Sequence, residues 1–311
     1  MKRWVGYVQL ITVCVALQGC KGLLKKGAEE NIVENNNTPT EEDSLDPVGR
    51  SLVSSLRLKL DASNISSDSK EKIVAGARSE LENASKASKL NGSMGSPHAS
   101  GLALYANANG LDFATKLSLI VKGASKAMAS ISELNSGGKR LGILKQVVSF
   151  GVESTKKFAK EIPEGGVHDV ISNVVKAAVS SVHTAGVSEA ERAEAVVAMV
   201  GTAVASIKDA AVSDDSARLE SMKAIVAAAV SSLAEAKLPT GTMTNVVSAI
   251  AESSIKNASA AGLSQDVIVH AAKAVTAEAV SSATQLAQSA GIEEINVTEV
   301  SSSVVKNVVG A

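Results

Sequence analysis

Gly186-Val187-Ser188, Ala211-Val212-Ser213, Lys237-Leu238-Pro239-Thr240, Gly262-Leu263-Ser264 and Gly291-Ile292-Glu293 are variants of one phrase that returns about every 25 residues through the C-terminal half of this 311-residue chain. A small residue, Gly above all, closes one helix by taking the left-handed conformation. An apolar residue staples the junction, and a Ser or Thr side chain accepts from the unpaired N–H groups of the next helix. The phrase therefore reads as a helix-to-helix corner.

The stretches between corners carry helical periodicity. Val196, Val200, Val204 and Ile207 recur at spacings of 4, 4 and 3, and Leu219, Met222, Val226 and Leu233 keep step in the next stretch. Each set is the buried stripe of an amphipathic helix. The pattern predicts helices at about 112–134, 139–161, 167–184, 189–210, 214–236, 241–260, 265–290 and 295–309. Turns this short force neighbouring helices antiparallel. The expected fold class is all-α: an array of about ten antiparallel helices, with two architectures open. Stacked pairs with a two-helix unit of about 50 residues make an α-solenoid; the same hairpins can also close into an irregular bundle.

Upstream, Asp46-Pro47 starts the folded part with a capping residue and a proline at the first helical position. Leu52, Val53, Leu56 and Leu60 predict a helix to about residue 60. Asp68-x-x-Glu71 has the spacing of a reciprocal cap and predicts a second helix over about 68–90, and Ile65-Ser66 before it has the apolar-plus-cap form of the later corners. Residues 47–110 then form an N-terminal helical pair with a Gly-rich loop, and 111–311 the repeat domain. The loop, from Asn91 to Gly110, is the longest irregular segment within the fold and holds Tyr105. It reads either as a recognition loop centred on Tyr105 or as a linker.

Composition narrows function. Aromatic residues make up 2% of the chain, and none occurs after Phe158. Binding by ring stacking against sugars, bases or quaternary amines is therefore not expected from Ala159 onward. The net charge of −1 carries no clustered basic face of the kind that nucleic acid requires. The four histidines, His98, His168, His183 and His270, form no His-Glu-x-x-His pair. No serine lies in a Gly-x-Ser-x-Gly elbow, and Gly137-Gly138-Lys139 lacks the earlier Gly and the following Ser or Thr of a phosphate loop. The chain is expected to be no enzyme, with no catalytic residue, cofactor or metal. Serines recur inside successive helices at Ser180-Ser181, Ser206, Ser231-Ser232, Ser253-Ser254, Ser281-Ser282 and Ser301-Ser302-Ser303. They read as small residues that bond back to their own helix and let helices approach closely, rather than as a polar ladder for a partner. Arg192 and Arg218, among the charges that open their helices, read as parts of solvated faces.

The first 20 residues open with Lys2 and Arg3, continue through an apolar run too short to span a bilayer, and end Leu17-Gln18-Gly19-Cys20. This resembles the signal peptide and lipobox of bacterial lipoproteins, in the relaxed form of spirochaetes. The resemblance covers these residues alone and implies cleavage before Cys20, lipidation of the Cys20 thiol, for example with palmitate, and residence in the cell envelope. Lys21 after the Cys is compatible with the outer membrane. Residues 20–46, rich in Glu, Asn and Lys, then serve as an acylated tether. With Cys14 in the segment to be removed, no disulfide framework remains. The function expected is a membrane-anchored lipoprotein with a structural or protein-binding role, its partner an unnamed envelope or host protein. The alternative is a protein whose amphipathic helices open to bind lipid or another apolar ligand.

Overall fold

The computed structural model describes residues 44–93, 110–239, 241–290, 296, 298–300 and 302. Among them are nine α-helices: α1 (Pro47–Asp61), α2 (Ser67–Ser93), α3 (Phe113–Met128), α4 (Gly137–Lys157), α5 (Val167–Ser181), α6 (Glu189–Ala205), α7 (Asp215–Ser231), α8 (Met243–Lys256) and α9 (Gln265–Ala290). The all-α expectation holds. The boundaries show one systematic difference: most predicted helices end about one turn early. Their last turns tighten into 3-10 segments at Ser132–Leu134, Ala159–Glu161 and Ser206–Asp209, or into runs of turns at 182–186 and 232–237. Tightening lets the closing carbonyls find partners before the chain reverses. In the other direction, α2 runs on through Asn91 and Gly92 to Ser93, beyond the expected end near residue 90.

The helices pack in two rows. One row holds α2, α3, α5, α7 and α9, the other α1, α4, α6 and α8. Consecutive helices are antiparallel, so from α3 onward each row contains helices of one direction. Helices α3, α5, α7 and α9 begin 54, 48 and 50 residues apart, and α4, α6 and α8 begin 52 and 54 apart. The unit is thus a two-helix hairpin of about 50 residues, stacked as in an α-solenoid. The N-terminal pair breaks this polarity. Ser66 meets Glu133 and Gly76 meets Gly123, so α2 lies antiparallel to α3, its neighbour in the row. Lys157 donates to Ser55 and Lys59 to Glu153, so α1 likewise lies antiparallel to α4.

The core runs the length of both rows. Around α1–α3 it is built from Leu52, Leu56, Leu60, Ile73, Leu81, Leu117 and Ile120; later it turns to Val and Ala, among them Val200, Ala203, Val226, Ala229, Val247 and Ala251. Small side chains allow close approach, and α2 and α3 show its limit. A Cβ on Gly76 would stand 2.5 Å from Ala127 Cβ, and one on Gly123 would stand 2.5 Å from the Gly76 carbonyl oxygen.

Corner chemistry partly corrects the expectation. Val187, Val212 and Leu263 are buried as staples. Gly186 and Gly262 adopt φ of 77° and 86°, and Lys237 takes the same left-handed place with φ 50°. The chain passes Ala210 in an extended conformation instead, so the corner at Val212 needs no such residue. The serine caps do not accept backbone N–H bonds: Ser188 donates to Glu191 and Ser264 to Asp215. Aspartates cap instead: Asp46 accepts from the Gly49 N–H, Asp112 from Thr115 and Asp214 from Ala217. Ser66, not Asp68, caps α2, accepting from the Ser69 N–H, while Glu71 pairs with Arg57 of α1. The corner Gly291-Ile292-Glu293 lies outside the described residues.

Candidate functional site

Three arginines join the corners to one another. Arg140 follows the N-cap of α4 by four residues, Arg192 that of α6 and Arg218 that of α7. From these places Arg140 donates to the Gly186 carbonyl, Arg192 to the Lys237 carbonyl and Arg218 to the Gly262 carbonyl, spanning 46, 45 and 44 residues. Each guanidinium thus holds the left-handed residue of a corner two helices or so further on. The expectation that Arg192 and Arg218 lie on solvated faces is corrected: a carbonyl at a helix end attracts a cation, and at Gly186 and Gly262 the flat guanidinium also fits against a residue without a side chain. At α7 an acid joins in. Asp215 accepts from both the N–H and the hydroxyl of Ser264, and these bonds, with Arg218, hold its carboxyl below the usual value. At the other end of the array, hydrogen bonds from the Ser66 and Ser69 hydroxyls pull Glu133 down to about 2.

With the corners tied, α4, α6 and α8 stand side by side and leave a groove of about 480 Å³ between them. Helix α4 supplies Lys145, Ser149 and Glu153, which share one face at successive i,i+4 steps. Helix α6 supplies Ala198, Gly201, Thr202 and Ala205, and α8 supplies Ser253 together with its C-cap residue Asn257. The small residues of α6 lower its surface between the two flanking helices. A Cβ on Gly201 would come within 2.6 Å of Ser253 Oγ, so that glycine sets how closely α6 and α8 meet. The polar lining is internally ordered. Ser206 donates to Ser149 at 3.0 Å, Ser149 donates to Glu153, and Lys59 of α1 donates to both Glu153 oxygens at 2.7 and 2.9 Å. Lys145, Lys208 and Asp209 are exposed at its edge. Such a surface offers donors and acceptors to an extended polar partner.

The recurring serines divide: Ser181 bonds back to the Ala177 carbonyl, Ser232 to Ala228 and Ser254 to Ile250, whereas Ser206 donates to Ser149 of α4 and Ser253 to the Val197 carbonyl of α6. His168 Nδ1 lies 2.9 Å from the buried hydroxyl of Ser221, which itself donates to the Ala217 carbonyl and is no free nucleophile. No three His, Cys, Asp or Glu side chains gather into a metal site among the described residues. Nor, among them, is any helix long and apolar enough to cross a membrane. The two site residues expected from sequence, Cys20 for lipidation and Tyr105 for recognition, lie outside the described residues. The groove escaped the sequence reading, although Ala198, Gly201, Thr202 and Ala205 mark it at i, i+3, i+4 and i+7. Only the apolar stripe Val196, Val200 and Val204 on the other side of α6 had drawn a structural reading. No family model, no curated protein and no solved structure matches the chain.

Proposed function

We propose that this protein is a lipid-anchored, non-catalytic scaffold of the bacterial cell envelope, held in the outer membrane through acylated Cys20, and that the α4/α6/α8 face receives a protein partner. The observation that carries the binding role is the groove, a polar surface whose ordered side chains are already paired with one another on a row of parallel helices. A pre-formed, rigid surface loses little freedom on binding. The lipid anchor rests on Leu17-Gln18-Gly19-Cys20 after a short apolar run. Support for a non-catalytic role comes from serine hydroxyls already engaged by helix carbonyls.

Two measurements test the parts separately. Cys20→Ala should move the protein from the detergent phase to the aqueous phase in cloud-point partitioning, and unchanged partitioning refutes the anchor. Capture from native envelopes with the wild-type protein and an Ala198→Arg, Ala205→Arg variant tests the groove. An identical set of captured proteins refutes it. The alternative, opening onto lipid, predicts that liposomes change the helical spectrum of the Cys20→Ala protein. The arginine ties between corners favour the closed scaffold, because opening would break three charge-assisted bonds.

A further inference from the structure

His183 occupies the run of turns after α5. Its main-chain carbonyl accepts from the Gly186 N–H at 3.1 Å, and its ring Nδ1 is buried with no hydrogen-bond partner. A buried, unpaired ring nitrogen is costly to keep and invites explanation. The charges around it are cations from different elements. Arg192, near the start of α6, donates to the Lys237 carbonyl and, at 3.2 Å, to the Val187 carbonyl, so it ties the α7–α8 corner to the α5–α6 corner that carries His183. Lys237 brings the second charge from the corner after α7. Arg140 of α4 is engaged by the Gly186 carbonyl of the same corner, which leaves Lys237 and Arg192 as the two cations that act on the ring. The carboxylates of these same segments, Glu189, Glu191 and Glu235, are exposed, and Glu191 accepts from Ser188.

We propose that His183 is an acid-sensitive latch whose protonation releases the α7–α8 corner from the start of α6. A neutral ring is compatible with two neighbouring cations; an imidazolium is a third positive charge where desolvation already disfavours charge. The joint has little margin, since Lys237 already sits in a left-handed conformation that side chains disfavour. Desolvation, then Lys237 and Arg192, hold the ring below its usual value. The sign follows from linkage. The unfolded chain binds the proton near pH 6.5, the folded chain only at lower pH, so stability falls as pH drops below about 6.5 and levels off once the folded form is protonated. The depressed carboxylates Asp46, Glu133 and Asp215 lose their contributions only below about pH 4.5, which separates the two windows.

Amide hydrogen exchange of the full chain in detergent, corrected for the intrinsic pH dependence, tests the latch. Between pH 7.5 and 5.0, exchange at residues 232–239 should rise several-fold in the wild type and stay level in His183→Gln. An equal rise in both, or a His183 ring that titrates at or above pH 6.5 by NMR, overturns the proposal. Should His183→Gln not fold, Lys237→Met keeps the test open: it should raise the pH at which the His183 ring titrates. An unmoved titration overturns the proposal equally.

Discussion

The α2–α3 contact and the α6–α8 contact both rest on glycine, yet they differ in what surrounds it. Gly76 and Gly123 bring backbone against backbone within a core of Leu and Ile, and a Cβ on Gly123 would meet the Gly76 carbonyl at 2.5 Å and the Ala77 Cα at 2.9 Å. Gly201 faces the ends of Ser253 and Asn257, at 2.6 and 3.1 Å, which are side chains able to turn aside. The first contact is a rigid bearing and the second an adjustable one. The three described phenylalanines belong to the N-terminal part, with the Phe113 and Phe158 rings 5.6 Å apart. The later array, built from Val and Ala, gains less from each buried side chain and adds polar ties at its corners. One end holds by volume; the other holds by corners.

The largest effect expected from this contrast is at Gly123. Gly123→Val forces α2 and α3 apart against main-chain atoms and should cost about 3 kcal/mol or more by denaturant unfolding. If Gly201→Val, where side chains can yield, proves equally costly, the contrast fails. Next comes the corner tie. Arg218→Met keeps the apolar stem but leaves the Gly262 carbonyl and the Asp215 carboxylate without their cation, and should cost about 2 kcal/mol. Loss of protection from exchange should centre on residues 256–268. An unchanged exchange map there would show that the arginine ties are decorative. The smallest effect is a gain: Lys237→Gly relieves a left-handed side-chain residue in the place where two other corners use Gly, and should stabilise by about 1 kcal/mol. A loss of stability would mean that the Lys237 side chain does more at its corner than the backbone conformation requires.

Much of the architecture was legible because helix periodicity and corner residues are local signals. Val187, Val212 and Leu263 marked real junctions, and the Asp46 and Asp112 starts of α1 and α3 were read correctly. Beyond the local differences at helix ends and at Ser188, three readings went differently because a distant group intervened. The reciprocal cap of Asp68 and Glu71 gave way to the Ser66 cap that Ile65-Ser66 also signalled, with Ser66 held by Glu133 from 67 residues away and Glu71 taken by Arg57. Ser264 turned its hydroxyl to Asp215 rather than to its own helix. Arg192 and Arg218, unremarkable as charges early in a helix, found carbonyls more than 40 residues away.

What the order of residues determined by itself is the set of helices, their stapled corners and the 50-residue unit, since each depends on interactions within a few residues of the chain. What only the tertiary structure decided is the reversed N-terminal pair, the arginine ties and the groove along α4, α6 and α8. These depend on which helix ends meet, and helices of similar small residues can stack in several registers with nearly equal local preference. The choice falls to long-range terms: two glycines that admit one close approach, and charged side chains that reach a particular carbonyl.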